Sequence, residues 1–248
     1  MNAQNITFIE QDESLPAKYC EFSINNNIYY SDSFGVFKIQ NQKKGLIKID
    51  NYKYEPLNFF TPTSDTIVFL KQRKIALPPI EIKPRKESEL ISKAKKNAVH
   101  ELKPGYELGI LTPKICGTLK EISFETKKLQ NDKNLYFKLD FYKKNENDFD
   151  RLNYENIILP ISEIYNHKII NIKLKEYGIY TCNAELLIAI RLISNIGNYD
   201  NEKISDNSIS IFGSKERYKM FIRKNHHFKW KEMIIYPISF KLKYETSK

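Results

Sequence analysis

The chain has 248 residues, of which 41% are hydrophobic and 13% aromatic, enough to bury a sizeable core in one large or two small domains. Its 8 glycines are too few for collagen-like repeats and argue against Gly-rich nucleotide loops. No stretch approaches the ~18 apolar residues of a membrane-spanning helix. The net charge is +10, and residues 215–248 carry ten basic and three acidic groups.

Residues 5–83 have the pattern of a small β-sandwich. Strand-like runs recur at a spacing of about ten residues, and turn signals such as Asn25-Asn26-Asn27 separate them. The predicted strands are 19–24, 27–30, 34–40, 46–50, 55–59, 66–70 and 79–83. Short strands at this spacing are typical of a Greek-key sandwich.

Residues 84–105 interrupt the strand pattern. Pro84 opens a charged stretch, and Lys103-Pro104-Gly105 closes it. Ser88 could cap a short helix between them. The apolar positions of that helix form one narrow stripe of Leu90, Ile91, Ala94, Ala98 and Val99. The region is therefore predicted to be a linker with a short helix.

Residues 106–248 return to strand-like runs. The predicted strands are 118–125, 135–142, 168–174, 185–194, 208–212, 217–223 and 233–244. The run 135–142 alternates strictly, with Leu135, Phe137 and Leu139 on one face. The fold class is therefore predicted to be all-β, with a larger β-sandwich or jelly roll after the linker.

A short motif in the first region resembles a known domain family. A polar turn containing Asp32 precedes Gly35, and an alternating strand follows Gly35. This arrangement resembles the carboxypeptidase regulatory-like domain, a transthyretin-like sandwich of Bacteroidetes-type surface proteins. Residues 105–244, in phrases such as 117–124 and 227–230, look like the β-sandwich that follows such domains.

The resemblance implies a function without catalysis. Such modules are accessories to receptors, transporters and secretion systems, so we expect an exported subunit that docks on an outer-membrane or cell-surface protein assembly. The expected location is the periplasm, outer membrane or cell surface, with membrane association through a partner. Asn2-Ala3-Gln4 after Met1 resembles a small-residue cleavage site whose signal has been removed.

No catalytic, cofactor or metal site is predicted from the motifs. No G-x-S-x-G elbow, P-loop or zinc-protease spacing occurs, so neither an enzyme nor a cofactor is expected. Nucleic acid is not an expected partner of an exported protein. The alternative function is a carbohydrate-binding module, in which Tyr218, Phe228 and Trp230 offer flat rings to a sugar. Phe228 and Trp230 would share a strand face, which could equally be core.

Two further features leave alternatives open. Cys116 and Cys182 could bridge within the second half, although all three cysteines, with Cys20, are expected to be buried free thiols. The lysine excess of residues 215–248 could face an anionic partner or be an ordinary solvated face.

Overall fold

The computed structural model describes residues 4–39, 45–74, 85–130, 135–146, 148–194, 196–197, 208–224 and 227–247. Within these ranges, nearly all regular structure is β-strand, which confirms the predicted all-β class. Contacts divide the chain into two compact units. One comprises Met1–Pro79 with Ser194–Ile204, and the other comprises Ile80–Ile193 with Ser205–Lys248.

The first unit consists of two sheets around one core. Its strands are β1 (Gln4–Glu10), β2 (Glu21–Ile24), β3 (Asn27–Tyr30), β4 (Val36–Ile39), β5 (Leu46–Ile49), β6 (Leu57–Phe60) and β7 (Thr66–Leu70). One sheet has the order β4-β1-β7, with β1 and β7 parallel, and the other is antiparallel with the order β3-β2-β5-β6. Phe8 of the first sheet and Phe22 of the second pack together, with ring centroids 5.1 Å apart.

Strand β1 was not predicted, yet it is central in its sheet. Its buried positions Ile6 and Phe8 alternate with the less buried Asn5, Thr7 and Ile9, which is the period-two signal of a strand. The third inward position is Glu10, whose carboxylate accepts hydrogen bonds from Tyr54 and Gln72. Because Glu10 is acidic although buried, counting hydrophobic residues does not reveal the alternation along β1. The other strands lie on predicted ones, and the predicted strand 79–83 lies outside the described residues.

The turn before β4 explains the Asp-Gly motif. Asp32 Oδ1 accepts hydrogen bonds from the backbone N–H groups of Phe34 and Val36, both at 2.8 Å. Gly35 adopts φ +73°, and a Cβ at this position would lie 2.5 Å from the carbonyl oxygen of Phe8. Only glycine fits here, because it tolerates left-handed backbone and leaves room for β1.

Replacing Gly35 with alanine is expected to lower the free energy of unfolding by about 2–3 kcal/mol, from left-handed strain plus the clash with β1. Gly178→Ala is the matched control, because Gly178 has φ +58° but nothing within 4 Å of its Cβ position. It should cost about 1 kcal/mol, the strain alone. Urea unfolding monitored by circular dichroism measures the free energy of unfolding of both variants. Equal losses of stability in the two variants would contradict the expected clash at Gly35.

The second unit contains the remaining elements. They are β8 (Arg85–Ser92), β9 (Ala94–Leu102), β10 (Glu107–Gln130), β11 (Leu135–Lys144), β12 (Phe149–Arg151), β13 (Ile157–Pro160), α1 (Ile161–Ile164), β14 (Tyr165–Asn166), β15 (Ile169–Lys173), a 3-10 helix (Lys175–Tyr177), β16 (Tyr180–Ser194), β17 (Ser208–Ser214), β18 (Lys219–Arg223), β19 (Lys231–Met233) and β20 (Phe240–Ser247). The long strand β10 pairs with β15, β16, β17, β18 and β20. Its inward residues, such as Ile110, Ile122 and Phe124, are fully buried in the main core.

The predicted linker helix within residues 84–105 is wrong. This region forms β8 and β9, which pair antiparallel with β20 and β17. Along β8, Leu90 packs on the main core while Ile91 is exposed. Adjacent side chains therefore point to opposite faces, as in a strand and not as on one face of a helix. The pairing strands lie more than a hundred residues away in sequence, and such tertiary partners override weak local helix propensity.

Gly197, which follows β16, belongs to the first unit, although it falls within the predicted second domain, 106–248. The N–H of Gly197 donates to the carbonyl of Tyr30, and the carbonyl of Gly197 accepts from the N–H of Lys38, both at 2.9 Å. The contact-defined unit is therefore not contiguous in sequence.

The cysteines differ from the expectation of three buried thiols. Cys116 of β10 and Cys182 of β16 form a disulfide, so the expectation is wrong for this pair. Cys20 is free and buried, as expected, and burial raises the pKa of its thiol. The pairing depends on the register of β10 and β16, which shifts between Ile115 and Gly117. That register is not readable from cysteine spacing.

Candidate interaction surface

Phe228 and Trp230 lie in an irregular segment before β19. They are not on a strand, so the predicted shared strand face is not formed. The edge strand β19 follows and pairs with β18, with Met233 opposite Met220. This pairing fixes the segment to the rest of the second unit.

Trp230 packs on the outer face of the sheet, opposite the main core. Its neighbours form a small second cluster of Leu111, Tyr142, Phe149, Leu187, Ala189 and Phe221. The Trp230 ring lies 6.0 Å from that of Tyr142 and covers Gly109, where a Cβ would come within 3.1 Å of Trp230 Cζ3. Gly109 therefore makes room for the indole, and Trp230 serves as an anchor.

A buried ion pair lies directly beneath the indole. Arg223 donates to the Glu107 carboxylate and to the Tyr142 hydroxyl, each at 2.5 Å. The guanidinium carbon is 4.2 Å from the centre of the Trp230 ring, within cation–π range. Burial, with the nearby Glu107 charge, raises the pKa of Tyr142 well above its usual value, so this hydroxyl stays protonated. The ion pair and the Tyr142 ring therefore support the indole from below.

The three predicted ligand-binding residues do not assemble into one platform. Tyr218 packs against the main core, where its ring is 5.9 Å from that of Phe240. Trp230 belongs to the outer cluster, and Phe228 is half-exposed. A flat sugar-stacking surface needs rings that share one exposed face. The carbohydrate-binding alternative stays a prediction without such a surface.

Three consecutive apolar side chains project from the turn between β19 and β20. Ile234, Ile235 and Tyr236 are 103%, 41% and 54% exposed. We call residues 234–236 the apolar loop. After it, the Pro237 carbonyl accepts from the N–H of Ser214, and Ile238 is fully buried. The loop is thus held at both ends, and its exposed side chains are not those of a loose terminus.

Sequence reasoning missed the apolar loop because the run Met-Ile-Ile-Tyr-Pro-Ile has the composition of a buried strand. The predicted strand 233–244 covers it, whereas β20 begins at Phe240. Pro237 is the available signal, because proline lacks the N–H needed for a central strand. Next to the loop, Lys95 Nζ lies 3.6 Å from the centre of the Tyr236 ring, and a hydrogen bond from Lys95, together with its charge, lowers the pKa of that tyrosine.

Among the described residues, no group of three or more His, Cys, Asp or Glu residues is arranged to hold a metal ion. No described helix has the length and apolar character to cross a membrane. Of the two adjacent histidines in the sequence, His226 lies outside the described residues.

Comparison with known proteins adds little to this picture. No protein-family model matches the chain, and no curated protein matches it. A structure of infectious bursal disease virus, Gt strain, is similar over 100% of this chain with 11% identity and a TM-score of 0.27. The chain spans 56% of that viral chain. A likeness at this TM-score carries no argument about fold or function.

Proposed function

We propose that the protein is a non-catalytic, exported accessory subunit that docks on another protein of a cell-surface or outer-membrane assembly. The apolar loop is the observation that carries the proposal. Ile234 exposes its whole side chain to water at a position fixed on both sides by strand pairing or burial. Exposed apolar groups held in this way are typical of protein interaction sites.

The charges around the loop suggest the chemistry of its partner. Lys95 stands over Tyr236, and Lys229 and Lys231 precede the loop as exposed side chains. Interfaces commonly combine an apolar centre with a complementary charged rim. The partner would therefore offer an apolar pocket for Ile234, bordered by carboxylates.

Two observations support the proposed export of the protein and the proposed domain type of its first unit. Disulfides persist mainly in oxidising compartments, so the Cys116–Cys182 bond is compatible with export. The seven strands of the first unit, in sheets of three and four, are consistent with a transthyretin-like sandwich of the carboxypeptidase regulatory-like type. Membrane association would then come through the partner.

The test is crosslinking and co-purification of the tagged protein from its native host, followed by binding measurements with the partner once it is purified. We expect one outer-membrane or surface protein in stoichiometric amount. Ile234→Asp should weaken its binding at least tenfold, because a charge replaces the central apolar contact (tenfold is about 1.4 kcal/mol). The variant should fold normally, since this side chain is fully exposed.

Leu15→Asp is the matched control, because Leu15 is a half-exposed apolar residue in a loop of the first unit. It should bind the partner as the wild type does. Recovery of the wild-type chain alone would overturn the accessory-subunit proposal. Equal binding by Ile234→Asp and the wild type would overturn the role of the apolar loop.

A further inference from the structure

A groove opens where β10 changes its pairing partner. Ser123 of β10 pairs with Lys241 of β20, whereas Thr126 pairs with Ile211 of β17. The two partner strands part at this point, because β20 continues into pairing with β8 and β17 into pairing with β9. A cavity of about 690 Å³ lies at the divergence. We call it the β10 groove.

The floor of the groove is the outer face of β10. Ser123, Glu125 and Lys127 alternate with the buried residues Ile122, Phe124 and Thr126, so their side chains project outward. The size of the groove falls in the range of about 300–1,000 Å³ that is typical of small-ligand sites.

Lysines dominate the charged part of the lining. Lys93, Lys96, Lys127 and Lys241 line the groove together with a single acidic residue, Glu125. Lys241 is paired with Glu89 at 2.9 Å. The other three lysines make no ion pair within the described ranges. The groove thus brings together three lysines that have no ion-pair partner among the described residues.

One further carboxylate, Glu216, lies beside the groove residue Ser92. Glu216 accepts hydrogen bonds from the Ser214 hydroxyl at 2.5 Å and, more weakly, from the Ser92 hydroxyl at 3.4 Å. These bonds lower the pKa of Glu216 despite the opposing effect of its burial, so this carboxylate stays charged beside the groove. With Glu125, Glu216 and the Glu89 partner of Lys241 all counted, the four lysines of the lining still leave the groove positive.

The groove also contains a buried hydroxyl and apolar walls. Ser239 lines it, is almost fully buried, and its Oγ has no hydrogen-bond partner among the described residues. Buried hydroxyls ordinarily have a partner, so this one is available to an acceptor. Ile91, Ile169 and Phe240 supply apolar surface beside the lysines. This is a mixed lining, unlike that of a flat solvated patch of charge.

We propose that the β10 groove binds a small multivalent anion, a ligand that carries two or more carboxylate, sulfate or phosphate groups. The ammonium groups of Lys93, Lys96 and Lys127 would hold the acidic groups, and the apolar wall would cover the carbon skeleton between them. Acidic oligosaccharides and polyphosphates share this chemistry. The inference is independent of the apolar loop and of the proposed docking function.

The test is isothermal titration calorimetry of the full chain with trigalacturonate, with inorganic tripolyphosphate, and with neutral maltotriose. We expect at least one anion to bind and maltotriose not to bind. If only trigalacturonate binds, the ligand type is an acidic sugar. If only tripolyphosphate binds, the ligand type is a phosphate. Equal binding of both anions would indicate recognition by charge. Absence of anion binding, or equal binding of maltotriose, would overturn the proposal.

A pair of double variants locates the site. Lys96→Ala with Lys127→Ala should weaken anion binding at least tenfold. Lys143→Ala with Lys175→Ala removes the same charge from exposed positions outside the groove and should change affinity less than twofold. Equal losses in both would show nonspecific attraction and overturn the assignment. All four side chains are exposed, so thermal unfolding should match the wild type.

Discussion

Asp140→Ala is expected to lower the free energy of unfolding by about 3–5 kcal/mol, because it leaves buried charges without their counterion. Asp140 forms an ion pair with Lys138 at 2.8 Å and accepts hydrogen bonds from Asn153 at 2.9 Å and from Arg151. The side chains of Asp140, Arg151 and Lys138 are only 1%, 5% and 8% exposed. Urea unfolding of the variant and the wild type measures the loss.

Glu185→Ala is the control for this prediction. Glu185 pairs with Lys144 at 2.8 Å on the neighbouring strand, but both side chains are about one-third exposed. Its loss should cost about 1 kcal/mol or less, as for other solvated ion pairs. Similar losses in Asp140→Ala and Glu185→Ala would show that burial does not strengthen the Asp140 network.

The same network makes stability depend on acidity. Burial alone would raise the pKa of Asp140, but Arg151 and Lys138 lower it below its ordinary value of 3.8. The stabilisation is complete above the pKa of the unfolded chain, about 4, and is lost as the pH falls through the lower folded pKa. Below about pH 4 the wild type should therefore lose stability more steeply than Asp140→Asn. Parallel pH profiles would contradict this.

Removing the disulfide is expected to cost about 4 kcal/mol. Cys116 and Cys182 are 66 residues apart, and the bond restricts a long loop in the unfolded chain. The double variant Cys116→Ser with Cys182→Ser should show this loss in urea unfolding under non-reducing conditions. A thiol assay on the denatured, unreduced wild type should find a single reactive thiol, that of Cys20.

Reduction supplies the control for the disulfide. Dithiothreitol should lower the stability of the wild type to about that of the double variant and leave the double variant unchanged. Three reactive thiols in the unreduced wild type would show that Cys116 and Cys182 are free, as the sequence alone suggested. That result would also remove the support that the bond lends to export.

Charge counted along the chain differs from charge in space. Residues 215–248 hold most of the basic excess, which left open a positively charged face for an anionic partner there. In the structure, Lys219, Lys241 and Lys243 pair with Glu232, Glu89 and Glu121, and two of these carboxylates come from distant strands. The three lysines of the β10 groove that have no described ion-pair partner, Lys93, Lys96 and Lys127, all come from other segments.

The sequence by itself determined the β class and most strand positions of the first unit. Alternating apolar residues and turn signals are local features of the sequence, and a few residues are enough to indicate which face of a strand is buried. It also located the turn at Gly35, because the need for left-handed backbone is a property of one residue.

Tertiary structure decided the rest. Whether residues 85–102 become helix or strand depends on β17 and β20, and whether Cys116 meets Cys182 depends on the register of β10 with β16. Trp230 looks like a binding residue in isolation and becomes an anchor only once Gly109 and Arg223 lie beneath it. These outcomes rest on partners far apart in the chain, and a linear pattern carries no record of which strands will pair.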